Sequence, residues 1–140
     1  MSKNEPISVQ EALIYVMVIV SASDNSMTDK ELATIGDMIK MLPVFKDYDG
    51  NNIIPAAQRC GDILQEENGL SLVLELVRDI LPVKLYDTAY ALAVEVAAAD
   101  LEVHQEELRI LQLLRDRFRF DKLTVAAIER GAIARYRTVN

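Results

Sequence analysis

Two pairs of acidic residues recur in the 140-residue chain at one spacing: Asp24 with Glu31 and Asp100 with Glu107, seven residues apart in each case. An aspartate closing one helix and a glutamate in the first turn of the next are brought together by the loop between them. Hard carboxylate oxygens gathered in this way suit Mg²⁺ or Ca²⁺ better than Zn²⁺, which favours nitrogen and sulfur. Ser26, Glu102 and Glu106 are further oxygen donors in the same two loops. The same residues have a second reading. Thr28-Asp29-Lys30-Glu31 is a capping-box pattern, in which Glu31 accepts a hydrogen bond from the Thr28 backbone N–H, and Asp24 can close an Asx turn. His104 stands where Thr28 does in the other copy and is a poorer cap, so capping explains the recurrence of Glu107 only in part. On residues alone, ligand and cap both stay open.

The other chemistry-bearing residues point away from catalysis. The segment from Asp47 to Gln58 begins like a calcium loop, with oxygen donors at its first, third and fifth positions. Asn52 then occupies the sixth position, where glycine is needed, and Gln58 the twelfth, where a bidentate glutamate is needed. A polar turn between helices is the expected structure there. One histidine, His104, and one cysteine, Cys60, leave little from which to build an activated nucleophile and its base. No glycine-rich phosphate loop, His-Glu-x-x-His or Cys-x-x-Cys pattern is present. The chain reads as a non-enzyme, with His104 on a surface loop and Cys60 as a small buried apolar residue.

The elements that position the acidic pairs are themselves duplicated. A shift of 76 residues lays Val20-Ser21-Ala22-Ser23-Asp24 on Val96-Ala97-Ala98-Ala99-Asp100 and Glu31-Leu32 on Glu107-Leu108; Met27 falls on Val103 and Ile35 on Leu111. Each copy, about 9–42 and 85–118, is an apolar segment ending in Asp, a short polar connection, and an amphipathic segment opened by Glu-Leu: a helix–loop–helix hairpin. Tyr15 to Val20 alone is β-branched enough for a buried strand, but its counterpart Tyr90 to Ala99 is dominated by strong helix formers, so both are read as helix. Further helices are expected at Pro55 to Gln65, at Leu70 to Ile80 after the Asn68-Gly69 break, and at Leu123 to Arg135, which would dock through Val125, Ile128, Ala132 and Ile133. The expectation is an all-α, compact bundle of about seven helices forming one domain over residues 1–140.

Composition agrees with that architecture. Hydrophobic residues make up 51% and charged residues 26%, with no tryptophan and little aromatic content, which favours a folded helical core over disorder or a β-sandwich. The apolar run from Ala12 to Val20 is far short of the ~20 residues that span a bilayer, and no signal-peptide pattern surrounds it. With one cysteine there is no disulfide framework, and a cytoplasmic location is expected. A net charge of −7 disfavours nucleic acid, but the charge is uneven. Arg109 to Arg137 carries eight basic residues against Asp116, Asp121 and Glu129, or +5, leaving −12 for the rest. Arg115 and Arg119, one helical turn apart, are candidate contacts for an acidic protein partner. Head-to-tail self-association is the other outcome of such a split, and a solvated helix end the plain one.

The duplicated arrangement resembles the TerB family of tellurite-resistance proteins and the TerB-like domain of a membrane-anchored J-domain co-chaperone. The resemblance rests on Ala22-Ser23-Asp24 running to Glu31 and on Ala98-Ala99-Asp100 running to Glu107, placed toward either end of a domain of this size. It implies an all-helical pseudo-twofold domain, a cytoplasmic role in tellurite or general chemical-stress resistance, and metal association through the motif acids. Asn25 and Leu101 replace the family's glycine after Asp. Asn tolerates the left-handed conformation better than Leu, so the Asp24 loop is expected to be the stronger ligand site. Tellurite is thiol-reactive, and an exposed Cys60 would be a target.

Overall fold

The computed structural model describes residues 7–22, 27–99 and 105–140, and among these all regular structure is helical. The α-helices are α1 (Val9–Ser21), α2 (Asp29–Met41), α3 (Ile53–Leu64), α4 (Gly69–Ile80), α5 (Tyr86–Ala99), α6 (Gln105–Phe118) and α7 (Lys122–Arg135). Short 3₁₀ turns at Pro43–Phe45, Gly50–Asn52 and Val83–Leu85 lead between them. Three of the expected helices therefore lie within two residues of their predicted ends. Pro55 occupies the third position of α3, still inside the first turn, where the missing N–H breaks no helical hydrogen bond.

The core is built around α1. The Ser8 hydroxyl caps it by accepting from the Glu11 N–H at 3.0 Å, and every residue from Glu11 to Ser21 is then buried. A helix apolar all round is stable only when covered all round. Here α5 provides the most extensive cover, followed by α3 and α4. Ala89, Ala93 and Ala97 recur every four residues along α5 and are all buried, giving a strip of small side chains that allows close helix approach. The β-branched residues of α1 accept helical geometry because that geometry satisfies their backbone in a dry core.

The two hairpins keep register with each other. The first residue of α2, Asp29, and the first of α6, Gln105, stand 76 residues apart, the shift that aligned the sequence copies. The later connections differ from one another. Between α3 and α4 the chain reverses through Asn68, left-handed at φ 61°, into Gly69. A Cβ on Gly69 would lie 2.3 Å from the Ile63 carbonyl oxygen and 2.6 Å from that of Leu64, so only glycine fits. After α6 the left-handed residue is Arg119, φ 54°, whose N–H bonds the Arg115 carbonyl at 2.9 Å. Phe118 and Phe120 then stack with Tyr86 and Tyr90, with Tyr86–Phe118 and Tyr90–Phe120 centroids 4.6 and 5.3 Å apart. Asp121 caps α7 by accepting from the Thr124 N–H at 2.8 Å.

One packing expectation is corrected. In α7, Ala132 is buried and Val125 and Ile128 are half-buried against the core, but Ile133 is 53% exposed and Leu123 is 81% exposed. Apolar residues lie on both sides of this helix, and only one side meets the bundle.

Candidate functional site

Of the acidic-loop residues, Glu31 is a helix cap, Glu107 is buried, Glu106 is exposed, and the others lie outside the described residues. Glu31 is the third residue of α2 and closes a full capping box: its Oε1 accepts from the Thr28 N–H at 2.9 Å and the Thr28 hydroxyl at 3.0 Å, while Thr28 Oγ1 accepts from the Glu31 N–H at 3.1 Å. Both bonds to the carboxylate fall on one oxygen. Glu107 is the third residue of α6 and is 4% exposed, in an interaction of its own, whereas Glu106 beside it is exposed. Asp24, Ser26, Asp100, Glu102 and His104 lie outside the described residues. Among the described residues, no three His, Cys, Asp or Glu side chains converge as a metal site. At the calcium-loop look-alike, Asp49 Oδ1 accepts from the Asn51 N–H at 2.9 Å, which makes this the polar turn expected before α3.

Cys60 is fully buried in α3, and burial, aided by the charge of Glu11, pushes its thiol up to about 12. A thiol so placed is almost wholly protonated at neutral pH and out of reach of an oxidant. The native protein is expected to leave Cys60 unlabelled by a thiol-specific chromogenic reagent at pH 8, and to release one equivalent once unfolded in guanidinium. Prompt labelling of the native chain would contradict this burial.

Two polar clusters were not anticipated from the sequence, and each ties a tyrosine of a central helix to a Glu and an Arg. In the first, Arg59 on α3 grips Glu11 on α1 with Nε to Oε2 at 2.9 Å and Nη2 to Oε1 at 2.6 Å, and the Tyr15 hydroxyl donates to Oε2 at 2.8 Å. Burial pushes the Glu11 carboxyl up, but the hydrogen bonds from Arg59 and Tyr15 and the Arg59 charge together outweigh it. The carboxyl is held below its ordinary range. In the second, the Tyr90 hydroxyl of α5 donates to Glu129 Oε2 on α7, and Arg115 Nη1 on α6 donates to Tyr90 Oη at 2.8 Å and Glu129 Oε2 at 3.3 Å. Burial, then the bond to Glu129, pushes the Tyr90 phenol up to about 12. The available signal was Glu11 itself, a lone charge at the start of an otherwise apolar helix, which demands a partner.

The arginine pair is rearranged by these contacts. Arg115 is held inside the three-helix cluster, whereas Arg119 lies past the end of α6 in the left-handed conformation and is exposed. They do not form one basic face. Arg117 bonds Ser71 Oγ at 2.9 Å and faces Glu75 at 3.9 Å, and Arg135 pairs with Glu95, which also accepts from the Tyr136 hydroxyl at 2.8 Å. Among the described residues, the side chains of Arg109 and Arg130 have no ion-pair or hydrogen-bonding partner.

Beside the second cluster, α5, α6 and α7 enclose an open groove of about 730 Å³. Val94 and Ala97 of α5, Leu111 of α6 and Ala132 of α7 form its floor. Leu108 and Ile133, 54% and 53% exposed, stand on its two sides, and the Arg115–Glu129 pair lines it as well. No helix among the described residues is long and apolar enough to cross a membrane. No family model matches the chain, and no curated protein or solved structure is significantly similar to it.

Proposed function

We propose that this chain is a non-catalytic TerB-like domain of the cytoplasm that serves in resistance to tellurite or general chemical stress by binding protein partners. The observation that carries the partner-binding part is the α5–α6–α7 groove, where two large apolar side chains stay exposed above an apolar floor. The stress role rests on the duplicated Ala-rich helix, Asp and Glu arrangement. Cells lacking the chain are expected to grow poorly in sublethal tellurite and to recover when the wild-type chain is supplied. Equal growth with and without it, in tellurite and in other oxidants, overturns the stress role.

A second reading, a divalent cation at the motif acids Asp24, Glu31, Asp100 and Glu107, is favoured by register. Glu31 and Glu107 are each the third residue of helices beginning at equivalent positions, and the cap bonds to Glu31 use only Oε1. Converging carboxylates repel one another without a cation, so a bound Mg²⁺ or Ca²⁺ should raise the melting temperature with ln(1 + [L]/Kd). Asp24→Asn should remove most of that response and Asp100→Asn less. A melting curve unmoved by millimolar Mg²⁺, Ca²⁺ or Mn²⁺ leaves Glu31 as a cap alone, and the metal-independent scaffold reading with it.

A further inference from the structure

The charges beside the α5–α6–α7 groove identify the kind of partner it takes. On α6, Gln105, Leu108, Arg109 and Gln112 fall at helical spacing and all line the groove, so one continuous face of this helix is turned to it. On α7, Ile133 lines the opposite side, and Arg130 precedes it by one turn on the exposed surface. The α6 side thus carries exposed Leu108 and Arg109 in the lining, and the α7 side exposed Ile133 in the lining with Arg130 one turn before it, outside the lining; neither arginine has a partner among the described residues. Glu129, the lining acid, is already paired with Arg115 and accepts a hydrogen bond from the Tyr90 hydroxyl. Arg109 is thus the unpartnered charge in the lining, Arg130 is a second one turn from Ile133, and the exposed acids of α6, Glu106 and Asp116, are not among the lining residues.

Small-molecule sites are mostly enclosed and present a few convergent polar groups. This groove is open along α6, whose 14 residues span about 21 Å, and two of its polar groups, Arg115 and Glu129, bond each other. From this we infer that the groove is the docking site for an amphipathic helix of a protein partner, laid in with its apolar stripe on the floor and acidic residues on both flanks toward Arg109 and Arg130. The inference rests on the partner-binding reading above and names the surface and the chemistry of the partner. Apolar side chains at helical spacing would fill the trough between Leu108 and Ile133, as in other helix-in-groove recognition. The paired flanking carboxylates select against basic or neutral helices of the same stripe.

The probe is a fluorescein-labelled synthetic helix of about 16 residues with leucines at i, i+3, i+4 and i+7 and glutamates on both flanks, compared with the same peptide carrying lysines. Fluorescence anisotropy against the full chain should give saturable binding of the acidic helix, about tenfold or more tighter than the basic one. It should weaken severalfold between about 50 and 500 mM salt as exposed charges are screened. Leu108→Asp with Ile133→Asp should abolish it. Arg109→Glu with Arg130→Glu should reverse the preference between the two peptides. These four side chains are exposed or unpartnered, so circular dichroism should show all variants folded. Equal affinity for the two peptides, or acidic-helix binding unchanged in both double variants, overturns the inference. So does a dimer in sedimentation that Leu108→Asp dissolves, because a second copy would then own the groove. If the peptide fails while crosslinking in cells still joins the chain to another protein in both double variants, the groove assignment fails and the partner-binding reading stands.

Discussion

Tyr90→Ala should destabilise the fold by about 4 kcal/mol, the largest single-residue effect expected here, whereas Tyr90→Phe should cost only about 1 kcal/mol. Tyr90 is fully buried in α5, touches Phe120 and holds Glu129 and Arg115 through its hydroxyl. Alanine removes the ring and opens a cavity where α5, α6 and α7 meet. Phenylalanine keeps the packing and removes one hydroxyl, leaving Arg115 and Glu129 to pair directly at 3.3 Å. Urea unfolding of the two variants measures the split, and equal losses would mean that the hydroxyl, not the ring, dominates. The same geometry cautions against charge reversal at Arg115 as an interface test. Such a variant would set two carboxylates against each other beneath the groove and weaken the fold as well as any contact.

Glu11→Ala should cost about 3 kcal/mol, because it leaves the Tyr15 hydroxyl buried without its acceptor and the Arg59 guanidinium without its carboxylate. The carboxylate side chain is 12% exposed and that of Arg59 40%, so solvent offsets part of the loss on the arginine side. The sign of the pH dependence follows from the folded carboxyl being held below its ordinary range. Its contribution is complete above the unfolded pKa of about 4.3 and disappears as pH falls through the lower folded value. Stability should therefore drop in acid more steeply in the wild type than in Glu11→Ala. Urea midpoints from pH 7 down to pH 3 measure this; parallel profiles would show that Glu11 has no shifted carboxyl in the folded chain. A cycle with Arg59→Ala isolates the pair, and a coupling near zero would reduce it to a surface contact.

The helical architecture was legible because the chain states it twice. Tyr15 to Val20 is ambiguous alone, and its alanine-rich counterpart in α5 resolves it. The starts of α2 and α6 follow from the 76-residue shift, and Thr28 with Glu31 forms the capping box its spacing spelled out. What stayed hidden depends on contacts between distant residues. Glu11 and Arg59 are 48 positions apart, and Tyr90 and Glu129 are 39 apart, so no local period brings them together. Spacing alone makes Arg115 and Arg119 neighbours on one face, because nothing in Arg-Phe-Arg-Phe announces that the helix stops at Phe118 and that Arg119 turns left-handed. Periodicity places Ile133 in the core, but α7 is apolar on two sides and the pattern does not say which side faces inward. The groove follows from that same ambiguity.

Protection of cells through a partner held on the α5–α6–α7 face, as proposed, is tested by growth in sublethal tellurite of cells lacking the chain and supplied with either the wild type or Leu108→Asp with Ile133→Asp. Both residues are more than half exposed, so the variant should fold and accumulate as the wild type does. The wild type is expected to restore growth and the variant, at equal abundance, is not; full rescue by the variant overturns partner binding on this face.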